Sequence, residues 1–149
     1  MITYQVERYY LVIDEIKELF ENHWEEVSGN PEIPLNPDYD RYLELDRLEI
    51  LHMITARKEG KVIGYHVSFV LPHMHYKQSI TCFSDIFFIH KDHRQGFVGI
   101  KLFKFLEESL KEKNVQRIYM GTKLKLDIGP ILDRLGYKAI ERIYTKMIG

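Results

Sequence analysis

The chain has 149 residues, 45% of them hydrophobic and 29% charged, with 21 basic against 22 acidic side chains. That length suits one domain with a buried core, and the near-zero charge balance gives no global attraction to nucleic acid or an anionic membrane surface. A single cysteine excludes an intramolecular disulfide and a cysteine metal cluster, and no apolar run approaches the ~20 residues a membrane span needs. With no signal-peptide pattern at the N-terminus, the expected location is the cytoplasm.

In chain order, Met1 to Arg8 reads as a first strand. Val12, Ile16, Leu19, Phe20 and Val27 then fall at helical spacing, which predicts a helix from Tyr10 to Val27 stopped by Ser28-Gly-Asn-Pro31. A loop follows, then a shorter helix from Tyr39 to Leu48. Strands are expected at Leu51 to Arg57 and Val62 to Leu71, joined by a hairpin turn at Lys58-Glu-Gly60-Lys. Pro72 to Gln78 reads as a loop leading to a strand from Ser79 to Ile89, in which Cys82 is a buried, inert thiol. Leu102, Leu106 and Leu110 mark one face of a helix from about Phe97 to Lys113, with Glu107 and Lys111 placed for an i,i+4 pair. Beyond it lie a strand at Gln116 to Gly121, a short helix from Ile128 to Leu135 opened by Pro130 and capped by Gly136, and a last strand from Tyr137 to Ile148. The order β-α-α-β-β-β-α-β-α-β describes a mixed α/β sheet, mostly antiparallel, flanked by helices.

The stretch from Asp85 to Phe103 carries the most chemistry. An apolar strand delivers a polar turn holding Arg94, Gly96 and Gly99 onto a helix N-terminus. The free N–H groups of a first helical turn and the helix dipole together make an anion site. A pyrophosphate-bearing ligand is the first expectation. A Rossmann arrangement does not fit, because the glycine turn follows several strands rather than the first, and no acidic residue ends a following strand at the required distance.

The pattern Ile89-x-x-x-x-Arg94-Gln-Gly-Phe-Val-Gly99-x-x-Leu102, with Leu135-Gly136-Tyr137 before the last strand, resembles the GNAT superfamily of N-acetyltransferases over nearly the whole chain. A narrower set, including His23-Trp24-Glu25, Ile33-Pro-Leu35, Gly64-Tyr65 and His75-Tyr76, resembles small GNAT proteins of bacteriophages and bacteria. The resemblance implies that Arg94, Gln95, Gly96, Phe97, Val98, Gly99 and Ile100 cradle the pyrophosphate of acetyl-CoA. Phe97 stands where the family's loop pattern has its inner glycine, so Gly96 is expected to make the tight turn. The backbone of Phe87, Phe88 and Ile89 would hold the pantetheine arm like an added strand and polarise the thioester.

An amine acceptor is mostly protonated at pH 7, so a base is needed. Asp85, in the middle of an apolar strand, is the candidate, beside the alternative of a structural Asp bonded to a neighbouring element. Leu132 occupies the place where many family members carry a tyrosine acid. His23, Trp24, Tyr42, His75 and Tyr76 are candidates for the acceptor pocket, against a reading of Trp24 as helix-face core and His23 as its solvated neighbour. His73-x-His75 lacks a carboxylate partner, and no metal is expected. The implied reaction is acetyl transfer to a small-molecule or peptide amine, without nucleic acid or membrane and with a homodimer possible; the competing reading is a non-catalytic GNAT-like binding protein.

Overall fold

A computed structural model describes residues 1–27 and 32–149; the expected Ser28–Pro31 helix stop falls outside them. The elements are β1 (Ile2–Val6), α1 (Tyr9–Val27), α2 (Tyr39–Arg47), β2 (Leu51–Lys58), β3 (Lys61–His73), β4 (Tyr76–Ile89), α3 (Val98–Lys111), β5 (Arg117–Tyr119) and α4 (Gly129–Arg134). A one-turn 3-10 helix, Lys91–His93, lies in the loop between β4 and α3. The five strands form one sheet in the order β1-β2-β3-β4-β5, antiparallel except for the β4–β5 pair.

Helices cover both faces of this sheet. Tyr9, Val12, Ile16, Leu19 and Phe20 of α1 pack on Met53, Tyr65, Val67 and Phe88 on one face. Leu102, Phe103, Leu106 and Leu110 of α3 pack on Ile54, Ile63, Cys82 and Ile89 on the other. Cys82 is fully buried, and that burial pushes its thiol up to about 11, so it is the inert core group its sequence context implies. Asp38 caps α2, its carboxylate accepting from the Arg41 N–H at 3.0 Å. The β2–β3 hairpin turns at Glu59 and Gly60, both at positive φ, a two-residue turn whose twist matches that of the strands.

Three expectations are corrected. Pro72 is not in a loop: β3 runs through it and turns only at Met74 and His75, because Pro72 stands beside a register shift where a missing N–H is tolerated. Glu107 does not pair with Lys111: its carboxylate accepts from the Tyr137 hydroxyl at 3.3 Å, and Lys111 bonds Glu108 at 3.0 Å instead. Tyr137 to Ile148 is not a strand. It runs on with no helix, turn, bend or ladder partner among the described residues, and a strand exists only beside another.

Candidate active site

The site begins as a fault in the β3–β4 ladder. Val67 faces Ile86 and Ser68 faces Ser84, so Asp85 is the extra residue of a β-bulge. A bulge bends its strand and sharpens the twist. Here it coincides with the end of the β4–β5 pairing: β5 pairs with Thr81, Cys82 and Phe83 of β4, and the ladder stops there. The half of β4 from Asp85 to Ile89 therefore borders an open wedge.

Register decides which backbone groups face that wedge. The His90 N–H donates to the Ile63 carbonyl at 2.8 Å, so antiparallel alternation turns Phe88 toward Tyr65 and turns Phe87 and Ile89 outward. Of the three residues expected at this edge, Phe88 thus spends its backbone on β3 and its ring in the core, at 2% exposure. The close β3–β4 approach depends on Gly64, where an added Cβ would lie 2.9 Å from the Phe88 carbonyl oxygen.

Past Ile89 the chain turns into α3. Gly96 sits at φ +68°, the left-handed conformation a side chain disfavours, and so makes the tight turn expected of it. Phe97 precedes the helix, 59% exposed and with no side-chain cap bond, and leaves the N–H groups of Val98, Gly99 and Ile100 open at the helix start. A Cβ added at Gly99 would meet Ile131 and Ile89 at ordinary contact distances. Gln95 is exposed in the turn. Arg94 points elsewhere than the helix start: its Nε donates to the Ile89 carbonyl at 2.7 Å, its guanidinium pairs with Glu26 of α1, and it lies 5.4 Å over the Phe88 ring. Arg94 is thereby a staple holding the turn to β4 and α1.

At the bulge, the Tyr42 hydroxyl of α2 donates to Asp85 Oδ2 at 2.5 Å. Asp85 is open to solvent on one side, yet the surrounding protein removes enough water to raise its carboxyl above the usual range, and the Tyr42 bond partly offsets this. No cation pairs with it among the described residues. Tyr42 is pushed far up by desolvation and by Asp85, so it stays a donor. Tyr42 also lines a cavity of about 730 Å³ with Asp38, Arg41, Leu45, Phe69 and Phe83, an aromatic and aliphatic lining that carries one acidic and one basic side chain, Asp38 and Arg41.

The other expected pocket residues are dispersed. His23 is buried, its Nδ1 lying 2.8 Å from the Tyr65 hydroxyl and its ring stacked 4.9 Å from Phe88. Burial lowers its pKa to about 4, so it is a neutral core group and not the solvated neighbour of Trp24, which is itself half-buried. His75 and Tyr76 lie at the β3–β4 turn, in an aromatic cluster with His73, Phe83 and Tyr119 over which Arg117 stacks. Phe83 joins that cluster to the Tyr42 cavity, a link hidden from sequence spacing. Among the described residues, no three His, Cys, Asp or Glu side chains gather as metal ligands.

The family model described as Acetyltransferase (GNAT) family matches residues 13–127. The chain belongs to the GNAT acetyltransferase family. Similar solved structures agree with this GNAT fold. A ribosomal-protein-alanine N-acetyltransferase from Brucella melitensis biovar Abortus 2308 has 16% identity and a TM-score of 0.75, with 100% of each chain covered. An aminoglycoside acetyltransferase from an uncultured soil metagenomic sample, in complex with sisomicin, has 15% identity and a TM-score of 0.74, covering 99% of this chain and 97% of the other. A Clostridium acetobutylicum protein described as a predicted acetyltransferase, with acetyl-CoA, has 14% identity and a TM-score of 0.66, covering 99% and 96%. No curated protein matches the sequence significantly.

Proposed function

We propose that this GNAT protein transfers the acetyl group of acetyl-CoA to a primary amine of a small molecule or peptide, with Asp85 as the proton acceptor. One observation carries the reading: the bulge that frees the β4 edge also places the Asp85 carboxylate beside that edge, and the same strand runs on into the open N-terminus of α3. The neighbours described with sisomicin and with acetyl-CoA support the substrate and co-substrate classes.

The residues fit coenzyme A. Its pyrophosphate suits the N–H groups of Val98, Gly99 and Ile100 beside the Gly96 turn, and its pantetheine arm suits the outward backbone of Phe87 and Ile89. When bound, the cofactor supplies an activated acetyl thioester. Free N–H donors on the β4 edge orient and polarise its carbonyl, and the Ile89 carbonyl is already held by Arg94. Asp85 would take one proton from the incoming ammonium, so that the neutral amine forms the C–N bond as the C–S bond breaks, and the second N–H proton passes to the departing thiolate, which leaves as the free thiol. Tyr42 holds the carboxylate in place, and the cavity it lines offers apolar walls to the carbon skeleton of the acceptor.

The test is release of free thiol from acetyl-CoA across a panel of aminoglycosides, polyamines and peptides with free N-termini. Amine-dependent release supports the proposal. Thermal stabilisation by acetyl-CoA without release for any amine would instead favour a binding protein, and absence of stabilisation would exclude acetyl-CoA as ligand.

A further inference from the structure

The cavity that Tyr42 lines has walls of a definite chemical kind. From α2 and its cap come Asp38, Arg41, Tyr42 and Leu45, residues three and four apart and so on one face of the helix. From the sheet come Phe69 and Leu71, two apart on β3, and Phe83, which stands opposite Phe69 in the β3–β4 ladder. Tyr42 and Phe69 lie ring to ring, with 6.4 Å between centroids and 25° between planes. Each of these apolar and aromatic side chains is only half-buried, so the space of about 730 Å³ is bounded by apolar surface that the chain leaves uncovered.

Charge in this lining is sparse. Among the described residues it carries one acid and one base, Asp38 and Arg41. The Asp38 carboxylate is engaged as the cap of α2, accepting from the Arg41 N–H at 3.0 Å. The Arg41 side chain is exposed and makes no ion pair among the described residues. Asp85 is tied to the lining through the Tyr42 hydroxyl at 2.5 Å. A single ammonium therefore finds its carboxylate at Asp85. A second one on the same molecule meets a capping carboxylate beside an unpaired guanidinium, which repels it. Hydroxyl groups on the body of the ligand would face Phe69, Leu71 and Phe83 with no hydrogen-bond partner there.

We infer that the acceptor is a monoamine on an apolar body of aromatic-ring size, bound with its nitrogen at Asp85 and its body against Tyr42, Phe69 and Phe83. The inference rests on the acetyl-transfer reading and narrows it. Tyr42 joins the proton acceptor to the apolar walls, so the contact that positions the reacting nitrogen also fixes where the rest of the molecule goes. Polyamines and aminoglycosides are disfavoured by charge and unpaired hydroxyls rather than by size, since the cavity is within the range of ordinary small-molecule sites.

Thiol release from acetyl-CoA with phenethylamine, ethanolamine, spermidine and kanamycin as acceptors tests this. The kcat/KM for phenethylamine should exceed each of the others by about tenfold or more. Arg41→Glu, at an exposed side chain, should raise spermidine relative to phenethylamine by about tenfold. Calorimetric titration of phenethylamine and spermidine into protein saturated with coenzyme A reads occupancy without turnover. A preference for spermidine or kanamycin, or an unchanged ratio in Arg41→Glu, would overturn the inference and leave acetyl transfer standing. Turnover of none of the four would count against acetyl transfer; the cavity's selectivity would then stand if phenethylamine alone binds, and fall if it does not.

Discussion

Lowering the pH from 7.5 to 5.5 should cost this protein about 4 kcal/mol of stability. The perturbation acts on three buried histidines. His23 and His52 are held at about 4 and His66 at about 3, each chiefly because burial disfavours the imidazolium. His52 has the Ser109 hydroxyl at 2.9 Å and His66 the Ser84 hydroxyl at 2.9 Å, while the Nδ1 of each has no partner among the described residues. Nothing there stabilises a charge. In the unfolded chain all three titrate near about 6.5. Below that pH the unfolded state takes up protons that the folded state refuses, so stability falls as pH drops, and the loss continues until the folded values are reached. At pH 5.5 each histidine contributes between about 1 and 2 kcal/mol of loss, so the three together take a large fraction of the 5–15 kcal/mol typical of a domain. Urea unfolding followed by circular dichroism at pH 7.5, 6.5 and 5.5 measures it, with the linkage slope approaching three protons. A total loss below about 1 kcal/mol, or imidazole resonances titrating near 6.5 in the folded protein, would refute the reasoning.

Other expectations concern the wedge. Asp85→Asn should lower the turnover rate by about 10²-fold or more while leaving acetyl-CoA affinity unchanged, and steady-state kinetics with a saturating amine would show it. Tyr42→Phe removes the bond that lowers the Asp85 pKa, so the acidic limb of the pH–rate profile should move to higher pH with the plateau largely kept. Gly64→Ala should destabilise by about 1–3 kcal/mol in urea unfolding, because its Cβ would meet the Phe88 carbonyl at 2.9 Å and β3 would have to shift.

Local signals in the sequence carried most of the fold. The leucine spacing of α3 and the Glu59-Gly60 hairpin each depend on a few neighbouring residues, and each stands where expected. The candidate site's frame was legible where it too is local, in the strand–glycine turn–helix unit, and Asp85 stood out as a carboxylate within an apolar strand. The bulge was not, because an extra residue is defined only by counting against the opposite strand, and nothing within β4 marks Asp85 as unpaired. Long-range partners were hidden for the same reason. Arg94 meets Glu26 and His23 meets Tyr65 only after α1 has docked on the sheet. The segment from Tyr137 to Ile148 shows the converse: its residues suit a strand, but a strand also needs a neighbour.

The central claim is that the open start of α3 receives the pyrophosphate of acetyl-CoA, and calorimetric titration of acetyl-CoA into wild-type and Phe97→Asp protein tests it most directly. Phe97 is mostly exposed, so replacing it removes little packing, and a carboxylate at a helix N-terminus stabilises by about 0.3–1 kcal/mol. The same carboxylate would compete for the N–H groups of Val98, Gly99 and Ile100 and repel a pyrophosphate. The account predicts an unchanged or slightly higher unfolding temperature together with acetyl-CoA binding weakened by about tenfold or more. Equal affinity in the two folded proteins would contradict it.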